Sequence, residues 1–76
     1  MSYSTDKFYF AAVLLALGYK MIKVEDINVK KKAFVFAVDQ ALAEELREGY
    51  YNRELQVDAR TLVDCVKELK DRIYGS

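Results

Sequence analysis

Ten consecutive residues, Phe8 to Leu17 (Phe-Tyr-Phe-Ala-Ala-Val-Leu-Leu-Ala-Leu), constrain this chain more than any other feature. As a helix the segment is apolar on every side. It ends at Gly18, which suits the left-handed backbone just past a helix end. A helix apolar all round has to be covered on more than one face. In a chain of 76 residues the cover can be a sheet on one side and a helix on the other, or a second copy of the chain. Ten residues of helix span about 15 Å, roughly half of a bilayer core, so the segment does not read as a membrane span. Only Lys7 precedes it closely, and no small-residue cleavage site follows, so it does not read as a secretory signal either. The expectation is a soluble, cytoplasmic protein with no membrane partner.

Ahead of this helix, Met1 to Tyr3 reads as a loose lead-in. Ser4 or Thr5 is the expected N-cap, with Asp6 in the first turn, where the helix dipole favours negative charge. After Gly18, Tyr19 to Glu25 carries β-formers in partial alternation and reads as a strand. Asp26-Ile27-Asn28 is the expected turn, in a connection longer than two residues because neither Asn-Gly nor Asp-Gly occurs. Lys32 to Val38 is the second strand. It puts Phe34, Phe36 and Val38 on one face and Ala33, Val35 and Ala37 on the other. The short connection implies an antiparallel hairpin, with the phenylalanine face toward the first helix.

Asp39 then caps an amphipathic helix over about 40–51, marked by Leu42, Leu46 and Tyr50 at four-residue spacing. Gly49 weakens it, leaving Glu48 and Asn52 as alternative ends. Leu55-Gln56-Val57 is too short to decide between connector and third strand. Asp58 opens the last helix, with Val57 and Leu62 spaced as a hydrophobic staple. Leu62, Val66, Leu69 and Ile73 form its apolar stripe, and Gly75 is the expected stop. The whole reads as one α+β domain over residues 1–76, in the order α-β-β-α-α, an antiparallel hairpin on a central apolar helix and two amphipathic helices.

Several short segments of this order resemble a known family: Ser4-Thr5-Asp6 with Phe8, Leu15-Ala16-Leu17-Gly18-Tyr19-Lys20, Phe34-Val35-Phe36, Tyr51-Asn52, Val57-Asp58-Ala59-Arg60 and Leu69-Lys70. Together they resemble an uncharacterised family of small bacterial and phage proteins known only as a domain of unknown function, along nearly the whole chain. The resemblance implies a small stand-alone bacterial or viral protein of the kind carried by mobile elements. It brings no catalytic or binding residues with it.

The residue inventory narrows the chemistry. There is no histidine and one cysteine, Cys65, so neither an intrachain disulfide nor a zinc site of the common ligand sets can form. No carboxylate sits inside an apolar run, where burial raises a pKa. Asp39 and Asp58 read as caps, and Asp64 and Asp71 as solvated. Cys65 lies mid-helix beside Asp64, without the cation or helix N-terminus that activates a thiol. The glycines form no phosphate-cradling loop. A non-enzymatic protein without cofactor or metal is expected.

Two kinds of partner remain. The apolar fraction is 53%, high for so small an interior, and a core this size contributes only a few kcal/mol net. Tyr50 and Tyr51 end the second helix, Tyr74 ends the last, and Val63 flanks its stripe. Tyrosine suits interface cores, and adjacent helical residues diverge by 100°, so one of Tyr50 and Tyr51 points outward. These four residues are the expected protein interface of a self-associating module, a homodimer. The alternative is a nucleic-acid binder using Lys23, Lys30, Lys31 and Lys32 of the hairpin as phosphate contacts, with neighbouring aromatics to stack bases. Against it stands the reading that Phe34 and Phe36 face the core and the lysines only solubilise a sheet edge. Charge is divided along the chain: residues 1–38 hold six lysines against three acids, residues 39–76 six basic against nine acidic side chains.

Overall fold

Five successive residues of the first helix, Phe10 to Leu14, are buried, more than one full turn, so that helix is enclosed on every side there. A computed structural model of the chain describes residues 1–74. Its elements are β1 (Tyr3–Thr5), α1 (Phe8–Ala16), β2 (Met21–Asn28), β3 (Lys31–Phe36), α2 (Gln40–Tyr51) and α3 (Ala59–Tyr74). The protein is an α+β domain: an antiparallel three-stranded sheet in the order β1-β3-β2, with α1 packed between the sheet and the other helices.

Near the N-terminus the structure departs from the expected loose lead-in and cap. Tyr3–Thr5 is a strand, paired antiparallel with β3 in the register Tyr3↔Phe36, Ser4↔Val35 and Thr5↔Phe34. Ser4 and Thr5 therefore do not cap α1. Lys7 occupies the N-cap position without a side-chain bond, and Thr5 Oγ1 instead accepts the Lys7 N–H at 3.2 Å. β1 covers the edge of β3 and sets Tyr3 edge-on to Phe10, with ring centres 6.4 Å apart.

The far end of α1 follows expectation. Gly18 has φ +99, and its N–H donates to the Leu15 carbonyl while that of Tyr19 donates to Leu14, the paired bonds of a Schellman motif. α2 ends the same way: Arg53 N–H donates to Tyr50 and Glu54 N–H to Gly49, but the left-handed residue there is Arg53, φ 62. Asp39 and Asp58 cap α2 and α3. Asp39 Oδ2 accepts the Leu42 N–H at 3.3 Å, and Asp58 Oδ2 accepts the Thr61 N–H and hydroxyl at 2.9 Å each.

The hairpin is antiparallel but tighter than expected. β2 continues through Asn28, and the link is two residues, Val29 and Lys30. The turn is thus not at Asp26–Asn28. Asn28 still supplies its chemistry, since its Oδ1 accepts the Lys30 N–H at 2.9 Å. Phe34, Phe36 and Val38 join the core around α1, Phe34 meeting Phe8 edge-on at 6.2 Å, while Ala33 and Val35 lie on the sheet's other face. Leu55–Val57 forms no strand and packs Leu55 and Val57 against the core. The stop expected at Gly75 lies outside the described residues.

Candidate interaction surfaces

Lysine and aromatic side chains meet at one end of the sheet, where the hairpin tip approaches the start of α1 and the end of α3. A cleft of about 280 Å³ lies there, walled by Lys30, Lys31 and Lys32 on one side and by Phe8, Ile73 and Tyr74 on the other, with Asp6, Val29 and Phe34 completing it. Lys31 Nζ is 2.9 Å from Asp6 Oδ2, and Lys32 pairs with Asp26. The hydrogen bond from Lys31 holds the Asp6 carboxyl below its ordinary pKa. Lys30 has no ion pair among the described residues. Tyr74 is 78% exposed and Val29 fully so.

The four lysines expected to act together are therefore divided. Lys30, Lys31 and Lys32 share the cleft. Lys23 lies opposite Val35 on the outer face of the sheet, with its Nζ 3.3 Å from Glu25 Oε2. The sheet phenylalanines are buried in the core and present no stacking face, so the aromatic surface beside the lysines is Tyr74 with Phe8.

The four residues of the expected protein interface also separate. Tyr50 turns inward, its ring 5.7 Å from that of Phe10. Tyr51 turns outward, with the Arg47 guanidinium over its ring at 5.7 Å, in a shallow groove of α2 shared with Glu44 and Glu48. Val63 and Tyr74 are both exposed and stand eleven residues apart on α3, about 20° from the same direction. Lys67 and Lys70 lie between them on that stripe, and Lys67 also borders a groove lined by Thr61, Asp64, Cys65, Glu68 and Asp71. Burial pushes the Cys65 thiol upward, and the Glu68 and Asp64 charges add to it, so the thiolate is disfavoured.

Some residues of these surfaces had no sequence signal. Asp6, Phe8, Val29 and Ile73 reach the cleft only because β1 and α3 converge on the hairpin. Ile22 and Ile27 are exposed on β2 where its pairing with β3 slips. Their mark in the sequence is the break in alternation at Met21-Ile22 and Asp26-Ile27.

This architecture defines a small α+β domain with a lysine-walled cleft and an uncovered sheet edge. The chain belongs to the DUF5659 family, a domain of unknown function whose family model matches residues 1–75. That bears out the resemblance to an uncharacterised domain over the length of the chain. No curated protein and no solved structure matches it. Among the described residues no helix is long and apolar enough to cross a membrane, and no cluster of three or more potential ligands is placed to hold a metal.

Proposed function

We propose that this protein is a small non-enzymatic interaction module that acts as a homodimer. The observation that carries the reading is the apolar surface left outside the core along the hairpin and α3. Ile22, Ile27 and Val29 are exposed on the hairpin, Val63 and Tyr74 on α3. Single exposed apolar residues are ordinary, but three on one hairpin with an open strand edge, one of which (Val29) lines a cleft with Tyr74, support an interface. The raised pKa of the Cys65 thiol makes that residue a poor nucleophile. A cytoplasmic setting in a bacterium or phage fits the resemblance and belongs to the same proposal. The test is solution mass by light scattering on a size-exclusion column, at two protein and two salt concentrations. A mass near twice 8.8 kDa is expected. A clean monomer at high micromolar concentration defeats the reading.

One observation favours a second reading, nucleic-acid binding. The cleft sets Lys30, Lys31 and Lys32 against the exposed ring of Tyr74, the pairing of cation and aromatic that single-strand binders use. Asp6 and Asp26 offset two of these charges, so the phosphate contact rests chiefly on Lys30. Affinity for single-stranded oligonucleotides is then expected to fall steeply with salt, and to be lost in K30Q/K31Q/K32Q. Binding unchanged in that variant would end this reading.

A further inference from the structure

We infer that the open edge of β2 pairs antiparallel with the same edge of a second copy, in the register that sets Lys23 of each copy opposite Glu25 of the other. This rests on the homodimer reading and gives it one specific contact, the edge of β2. Among the described residues β2 ends the strand order β1-β3-β2, so no strand lies beside its outer edge there. Alternate residues of this eight-residue strand point their backbone N–H and C=O groups away from β3, where an added strand satisfies them. The pairing of β2 with β3 slips between Met21 and Lys23 and again between Asp26 and Asn28. The regular run available at the edge is thus Lys23–Asp26.

Two copies of one strand pair antiparallel about a two-fold axis normal to the sheet, with the same patch used by both. An axis through Val24 places Lys23 opposite Glu25 and Glu25 opposite Lys23. Both side chains stand on the sheet face away from α1, across from Val35 and Ala33, and both are about half exposed. Within one copy they already lie 3.3 Å apart. Pairing would join two such ion pairs into a square of four charges in alternating sign. The neighbouring registers lack this: an axis at Lys23 sets that lysine against its own copy, and an axis at Glu25 does the same for the glutamate. Like charges directly opposite each other are destabilising. Charge therefore selects one register and rejects those two residues away on either side. The same register brings Ile22 of one copy alongside the Asp26–Ile27 break of the other, so an exposed isoleucine closes the contact at each end.

Four proteins test this by light scattering and sedimentation: wild type, K23E, E25K and K23E/E25K. In either single variant the facing charges of the two copies share a sign, and dimerisation is expected to weaken by roughly ten- to a hundredfold. The double variant restores opposite charges and the dimer. An equimolar mixture of K23E and E25K also restores it, because every cross-copy pair is then attractive. A variant weakened only by misfolding would not be rescued by mixing, and thermal melts of each monomer check the fold separately. Single variants that dimerise like wild type overturn the edge pairing while leaving the homodimer reading standing. Monomeric single variants that neither mixing nor the double swap rescues overturn the register. A wild type that stays monomeric overturns the homodimer reading, and the edge pairing with it.

Discussion

Leu69→Ala should be among the most damaging single changes in this protein. Leu69 is the one fully buried residue of the sixteen in α3, and it joins the cluster around Phe10 and Leu14. Removing a buried leucine side chain to alanine costs about 2–5 kcal/mol, the larger values arising where the site cannot collapse. Here α1 is held on its other side by the sheet, so collapse is restricted. For 76 residues, a stability of about 0.05–0.15 kcal/mol per residue gives about 4–11 kcal/mol in total. A loss of about 3 kcal/mol is thus a large share, and lowers Tm by about 12–24 °C in a domain of this size. The assay is urea and thermal unfolding followed by circular dichroism, at several protein concentrations because the proposed dimerisation would make Tm concentration-dependent. Val63→Ala, on the same helix but 52% exposed, is the control and should change monomer stability by no more than about 0.5 kcal/mol. A loss below about 1 kcal/mol for Leu69→Ala would refute the docking of α3 on α1 through this residue.

Glycine positions give effects of opposite sign in the same unfolding assay. Gly18→Ala should cost about 1 kcal/mol although nothing lies within 4 Å of the added methyl, because φ +99 strains any L side chain. Gly49→Ala should gain about 0.5–1 kcal/mol, since its Cβ meets Leu55 Cβ at an ordinary 3.8 Å inside α2. Acid melts should isolate Asp58. Its carboxyl is held below the usual 3.8 by the Thr61 N–H and hydroxyl, so its contribution is full above that value and is lost as pH falls through the lower folded value. The stability difference between wild type and Asp58→Asn should therefore shrink below about pH 4, and a constant difference would disprove this. Cys65 should react with a disulfide reagent at pH 8 more slowly than free cysteine, as burial and two nearby acids raise its pKa; faster reaction would contradict that environment.

Where local chemistry decides structure, the residues were readable. Asp39, Asp58 and Gly18 end helices by hydrogen bonds and backbone preference that reach no further than a few residues, and all three stand where their types predict. The apolar run of α1 and the alternation of Phe34 and Phe36 were equally plain. β1 was not, because three residues carry no period and Tyr3-Ser4-Thr5 becomes a strand only against Phe34–Phe36, some thirty residues away. The hairpin link lies beyond the expected turn for a related reason. Val29 and Lys30 have no turn preference, and pairing with β3 carries β2 past the better turn formers. The lysine cleft was half visible: the lysines stand together in sequence, but Tyr74 and Phe8 reach them only through the packing of α3 and α1.

β1 has one more consequence. Ala33 to Val38 (Ala-Phe-Val-Phe-Ala-Val) is six residues of high β-propensity with no charge, proline or glycine, the composition that stacks into steric zippers when bared. In the native sheet β3 is its middle strand, sheathed by β2 on one side and by three residues of β1 on the other. The hairpin side is joined by a two-residue link, whereas β1 must find its place across α1 and be held there by three pairings. Loss of the three β1 pairings would bare one edge of this segment and remove Tyr3 from its contact with Phe10. Lys30, Lys31 and Lys32 before it and Asp39 after it stand as gatekeepers at its ends. A fusion or deletion that disturbs Tyr3–Thr5 would leave those flanking charges as the main defence against fibre growth.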